Sequence, residues 1–277
     1  MRRDEVKVCI LRIEGTNCET ESFQAFERLG ARPEMVHLKQ LTGQDVREDE
    51  KRDLMDYHIL MIPGGFSSGD YVRAGAIFAA RMKSKLASQL VGFIKEGRAV
   101  LGVCNGFQVL VEMGILPGLD GVMSPQPQAV LTTNESSRFE CRPTLLKYEN
   151  KNTCIFTNKL KFGQILLVPS AHAEGKLLFP SEKAEMMMRQ LEDRDQIVFR
   201  FVDPKGERAG YPWNPNGSPG NIAGICSPSG NVLGLMPHPE RVFHRYTHPD
   251  WTRGFDTPLG DGRAIFEGIL DRVTENP

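Results

Sequence analysis

A thiol stands between two glycines in "LGVCNGFQ", residues 101–108, where an apolar run gives way to an amphipathic segment. A side chain at a tight turn from a strand into a helix is pushed out at the top of the sheet, the geometry of a nucleophile elbow. Gly102 and Gly106 flank Cys104, and their missing side chains let the chain turn sharply and a substrate approach. The first turn of a helix has unpaired N–H groups and partial positive charge, which stabilise a thiolate and a developing oxyanion alike. Cys104 is therefore the expected nucleophile. Cys9, Cys154 and Cys226 lack that context and read as small buried residues. Cys18, in "EGTNCETE", falls at the end of the first expected strand, where it borders the site in a structural role.

A cysteine nucleophile needs an imidazole in hydrogen-bond reach, and the imidazole needs a third group to orient it. Two of the six histidines sit in an HxE pattern: His172 with Glu174 in "SAHAEG", and His238 with Glu240 in "MPHPER". In an extended segment residues two apart project to the same side, so either pair sets a carboxylate beside its imidazole. Pro237 and Pro239 make the second segment the more rigidly extended, and it follows the strand pattern "NVLGLM". His238 and Glu240 are thus the preferred base and orienter, with His172 as the other candidate. His37 and His58 fall inside expected strands and read as core or edge residues.

"MIPGGFSSGD" (61–70) places adjacent glycines after a buried strand, suited to presenting N–H groups to an anion. No GxxxxGK[ST] occurs anywhere, so nucleotide hydrolysis by this chain has no support. An oxyanion loop is the better reading, with the N–H groups near Gly65 and Asn105 as donors.

The elements that must hold these groups alternate. Strand patterns at "VKVCILRI" (6–13), "EMVHL", "YHILMI" and "AVLGV" are separated by helical ones at 19–30, 76–97 and 107–114. In the second helix apolar residues recur at 78, 82, 86, 90 and 93 before Gly97. Such alternation predicts an α/β fold with a mostly parallel central sheet flanked by helices, and functional groups beyond the carboxyl ends of its strands. Residues 118–160 are turn-rich and polar, read as a long connection with short strands inside one domain spanning 1–277. β character returns at "QILLVPSAHAEGKLLF", "QIVFRFVD", "IAGICSP" and "NVLGLM", and a terminal amphipathic helix, "GRAIFEGILDRV", packs back on the sheet.

With 34 basic and 35 acidic residues and a net charge of −1, the chain lacks the electropositive excess of a nucleic-acid binder. No apolar stretch approaches the roughly 20 residues that span a bilayer, and the N-terminal apolar run is too short for a signal peptide, so a cytoplasmic location is expected. The six cysteines contain no CxxC pair, which argues against a disulfide framework or a zinc ribbon. His244 and His248 share an HxxxH spacing but have no nearby cysteine and read as a solvated turn. No metal site is expected.

Taken together, the elbow, the GG loop and His238xGlu240 resemble those of class I glutamine amidotransferases, whose architecture is flavodoxin-like. More closely, "GTNCETE", "IPGGFSSGDYVRAGAI", "LGVCNGFQVL", "AHAEG", "YPWNPNGSPGNIAGICSPSGNVLGLMPHPER" and "DGRAIFEGIL" resemble the family of glutaminase subunits of phosphoribosylformylglycinamidine synthases, over residues 15 to about 270. The resemblance implies Cys104 as nucleophile, His238 as base, Glu240 as its orienter, and Gln108, His172 and Glu174 as lining for the glutamine site. It implies ammonia delivery to a separate synthetase subunit that uses ATP and Mg²⁺, with no cofactor in this chain, and leaves a small accessory subunit open. Ser68 and Ala173 depart from the tyrosine and glycine more usual in that family, and residues 118–160 exceed the compact members. A stand-alone cysteine amidohydrolase of the same superfamily is the alternative.

Overall fold

A computed structural model describes residues 1–253 and 259–275. The first half runs β1 (Lys7–Arg12), α1 (Glu19–Arg28), β2 (Arg32–His37), the five-residue α2 (Leu38–Thr42), β3 (Ile59–Ile62), α3 (Ala76–Lys95), β4 (Ala99–Val103) and α4 (Asn105–Glu112). The second half runs β5 (Val130–Thr132), β6 (Glu140–Tyr148), β7 (Ile165–His172), β8 (Lys176–Leu178), α5 (Ala184–Asp193), β9 (Ile197–Val202), β10 (Ile222–Cys226), β11 (Val232–Leu235) and α6 (Arg263–Glu275).

Nine strands form one mixed sheet in the order β2-β1-β3-β4-β11-β10-β9-β6-β7, and β5 pairs with β8 apart from it. The pairs from β2 to β11 are parallel, in the 2-1-3-4-5 order of flavodoxin-like folds, while those from β11 to β7 are antiparallel. β3, β4 and β11 are buried at every residue, as parallel strands covered on both faces must be. α1 packs on β1 and β2, and its Phe26 meets Phe266 of α6 edge-on at 5.2 Å. α3 packs on α4, and the expected stripe of Phe78, Met82, Leu86, Leu90 and Phe93 is buried throughout.

Residues 118–160 hold more than a connection. β6 supplies nine residues to the main sheet between β9 and β7, and Pro143 in it lies opposite Pro169 of β7. Two prolines face each other only across a pair in which neither N–H is used by the ladder. Pairing of β6 with β9 covers Leu145 to Tyr148 alone, leaving Pro143 free of a partner on that side. The helix α5 had no expectation attached to it. It buries only Met187 and Leu191 of its ten residues, too narrow a stripe to stand out from a polar segment. His248 is also buried, at the end of a 3₁₀ turn, rather than solvated.

Candidate active site

Four neighbouring parallel strands deliver the site from their carboxyl ends: Cys18 after β1, Gly64 and Gly65 after β3, Cys104 after β4, and His238 after β11. The residue that carries the elbow's strain is Cys104 itself, at φ 52° and ψ −106°, a conformation side-chain-bearing residues rarely adopt. Its backbone is held by N–H donation to the Leu235 carbonyl (2.8 Å) and by the Gln108 N–H donating to its own carbonyl (3.1 Å). The flanking glycines serve packing rather than the turn or the substrate. A Cβ at Gly106 would lie 1.9 Å from the Ile62 carbonyl oxygen, and one at Gly102 would lie 2.7 Å from that of Gly106. Their bareness lets α4 start directly against β3 and β4.

His238 leaves β11 with its N–H donating to the Pro169 carbonyl (2.8 Å), and the chain then enters a 3₁₀ turn at Pro239–Val242. The HxE pair is thus made by a turn, not by an extended segment, because Pro239 suits the first position of a helical turn. The outcome is a hydrogen bond from His238 Nδ1 to Glu240 Oε1 at 2.6 Å, with both side chains essentially without solvent exposure. Burial alone opposes a charged imidazole, but the Glu240 carboxylate, with Cys104 next, carries the His238 pKa well above the usual range. The Cys104 sulfur is the imidazole's other neighbour, and His238 Nε2 has no hydrogen-bond partner of its own. A protonated imidazole there is the electrostatic partner of a thiolate.

Gly64 is the reason the two groups fit together: a Cβ on it would lie 2.7 Å from His238 Cε1 and 3.3 Å from both Cys104 Cβ and Cys18 Sγ. Gly65, at φ 150°, runs so close to residues 15–17 that a Cβ would lie 2.6 Å from the Gly15 oxygen. Neither the Gly65 nor the Asn105 N–H is taken up by a carbonyl among the described residues. Asn105 opens α4, so its N–H has no partner within the helix. The Cys104 thiol donates to the Ala171 carbonyl at 3.6 Å, which brings β7 to the mouth of the site.

A cavity of about 540 Å³ opens over these groups, lined by Gly65, Cys104, Gln108, His172, Glu174 and His238 among others. Gln108 is clamped, its Oε1 accepting from Asn105 Nδ2 (2.9 Å) and its Nε2 donating to the Glu174 carbonyl (2.6 Å). His172 and Glu174 do not pair. Asn134 donates its Nδ2 to the Arg138 and His172 carbonyls, so its Oδ1 accepts from His172 Nδ1 at 3.1 Å. That fixes the tautomer and leaves the His172 Nε2 lone pair without a partner. Burial, followed by the charge on His238, lowers the His172 pKa to about 3, so this imidazole stays neutral.

Two further groups in the site, Arg241 and Asp70, escaped the sequence reading. Arg241 lines the cavity and donates from Nη2 to Cys18 Sγ at 3.0 Å, and that sulfur lies 3.8 Å from His238 Nδ1. The signal for Arg241 was its place next to Glu240. Cys18, His238 and Glu240 are also the one group of thiol, imidazole and carboxylate donors among the described residues close enough to share an ion, within 4.8 Å. The imidazole–carboxylate bond and Arg241 already engage those atoms. Asp70 is the second, brought to the cavity by three successive left-handed residues, Ser68, Gly69 and Asp70.

Residues 5–270 match the CobB/CobQ-like glutamine amidotransferase domain. The chain is 53% identical over 273 residues to the phosphoribosylformylglycinamidine synthase subunit PurQ of Archaeoglobus fulgidus, covering 98% of each, and 43% identical to that of Picrophilus torridus, covering 98% of this chain and 100% of the relative. Among solved structures it superposes on PurLQS from Thermotoga maritima with a TM-score of 0.69 and 31% identity, over 97% of this chain and 99% of that one. No helix among the described residues is long and apolar enough to cross a membrane. A buried imidazole–carboxylate pair facing a strained thiol, under matches that run nearly end to end, leaves one assignment: this chain belongs to the glutamine amidotransferase family, among the PurQ subunits of phosphoribosylformylglycinamidine synthase.

Proposed function

We propose that this protein is the glutaminase subunit of phosphoribosylformylglycinamidine synthase, hydrolysing glutamine and passing ammonia to a synthetase subunit that converts formylglycinamide ribonucleotide to its amidine. The observation that carries this reading is the Cys104 elbow beside a buried, charged His238 held by Glu240. The Cys104 thiolate attacks the side-chain carboxamide carbon, and the oxygen of the tetrahedral adduct accepts the free N–H groups of Gly65 and Asn105. His238 gives its proton to the departing nitrogen, so the C–N bond breaks to ammonia and a γ-glutamyl thioester remains. The imidazole then takes a proton from water as it attacks the thioester, releasing glutamate and the thiolate. Glu240 keeps the imidazole in the orientation both steps require.

Gln108, His172 and Glu174 line the substrate cavity, and His172, neutral and tied to Asn134, is not the base. ATP and Mg²⁺ act in the synthetase subunit, and a small accessory subunit is a third component to be sought in the complex. The enzyme works in the cytoplasm, where its unpaired cysteines stay reduced. The test is Cys104→Ala, assayed with the purified synthetase. Glutamine-dependent amidine formation falls by about 10⁴-fold or more while ammonia-dependent formation persists. Full glutamine turnover by that variant overturns the assignment. Equal ammonia release with and without the synthetase favours a stand-alone amidohydrolase instead.

A further inference from the structure

Two carboxylates, those of Asp70 and Glu174, line the cavity without an ion pair of their own among the described residues. Arg73, which feels the charge of Glu174, is engaged by two 2.6 Å bonds to the carboxylate of Glu112, and Arg241 on the cavity wall donates to Cys18 Sγ. Glu174 Oε2 accepts the Ala74 N–H at 3.0 Å, which ties it to the loop that carries Asp70. Asp70 Oδ1 is buried without a partner, and burial first, with Glu174 next, raises the Asp70 carboxyl to about 6. A third acceptor lines the same cavity independently: the unpartnered Nε2 lone pair of His172, on a side chain only 3% exposed. Three acceptors without an ion pair of their own suit a cation rich in N–H groups.

The position fits one end of an amino acid. Gln108, whose Nε2 holds the Glu174 carbonyl, stands four residues beyond Cys104 on α4, about 6 Å along the helix axis. In extended glutamine the carboxamide carbon and the α-nitrogen are separated by four bonds, roughly 5 Å. Resting on the glutaminase reading, we infer that Asp70 and Glu174, with the His172 Nε2 lone pair, bind the α-ammonium group of glutamine while its carboxamide lies at Cys104. Free amides and peptide-internal glutamine, which lack that cation, are then rejected. The ammonium also relieves the repulsion between the two carboxylates, so binding is specific because the empty site is electrostatically unfavourable.

The experiment uses glutamine and glutaramate, which keeps the carboxamide and carboxylate but has no α-amino group. Each is titrated by calorimetry into the Cys104→Ala protein in complex with its synthetase, so that no turnover intervenes. Asp70→Asn and Glu174→Gln are then added separately. The expected result is that either change weakens glutamine by roughly 10- to 100-fold and leaves glutaramate within about twofold, collapsing the preference. Equal weakening of both ligands, or no change for glutamine, overturns the inference, since a packing defect does not distinguish them. If the Cys104→Ala parent binds neither ligand, the glutaminase reading itself is what fails.

Discussion

The Cα of Gly64 lies so close to the imidazole of His238 that a methyl group on it would sit 2.7 Å from Cε1. The same methyl would stand 3.3 Å from Cys104 Cβ. Gly64→Ala therefore wedges the His238 imidazole and the Cys104 side chain apart. The expected outcome is a loss of glutamine-dependent activity of roughly 100-fold or more, with ammonia-dependent activity of the complex retained, since misplacement by about 1 Å has that effect. Steady-state assays with each nitrogen donor check it.

Glu240→Gln keeps the shape of the orienting side chain and removes its charge. The carboxylate is what raises the His238 pKa against burial, so its loss returns the imidazole toward the neutral form. Thioester formation, which needs a proton on His238, is expected to slow by about 10²- to 10⁴-fold. Its alkaline limb, set by loss of that proton, should also move to lower pH, read by stopped-flow alkylation or acylation of Cys104 across a pH series.

Gly106→Ala tests the packing role of the elbow glycines. The added Cβ meets the Ile62 carbonyl at 1.9 Å, backbone against backbone, and α4 must lift from β3. A loss of about 3 kcal/mol or more is expected in urea unfolding. Gly92→Ala is the internal control. It lies within α3 with nothing within 4 Å of its Cβ position, and it should stabilise the protein by about 0.5 to 1 kcal/mol.

His172 predicts part of the acid sensitivity. Its pKa is lowered from the usual 6.5 to about 3, so between those values the unfolded chain binds a proton that the native state refuses. The stability it contributes is complete above pH 6.5 and is lost as pH falls toward 3, with a limiting slope of about 1.4 kcal/mol per pH unit. His172→Gln should flatten that limb of the stability-versus-pH curve, measured by chemical denaturation at pH 4, 5, 6 and 7.

The parallel half of the sheet was legible because β3 and β4 are buried on both faces and so are written as unbroken apolar runs closed by glycine. The thiol at 104 was legible for the same reason: a strand, a cysteine and a helix in immediate succession leave little choice of geometry. β6 was not, since charges and Pro143 conceal a strand whose prolines fall at an unbonded pair. Nor was α5, whose buried stripe is two residues wide.

What the sequence settled by itself, then, was local: a thiol between a strand and a helix, the HxE candidates and the order of strands and helices, all encoded within a few residues of one another. Only the tertiary structure chose between the histidines. It gave His172 to Asn134, 38 residues away, and set His238 against Cys104 and Glu240. It also placed Cys18 beside Arg241, 223 residues on, and turned Asp70 toward Glu174. The meeting of Cys18, Cys104 and His238 depends on parallel strands ending side by side, and a parallel sheet joins residues that lie far apart along the chain.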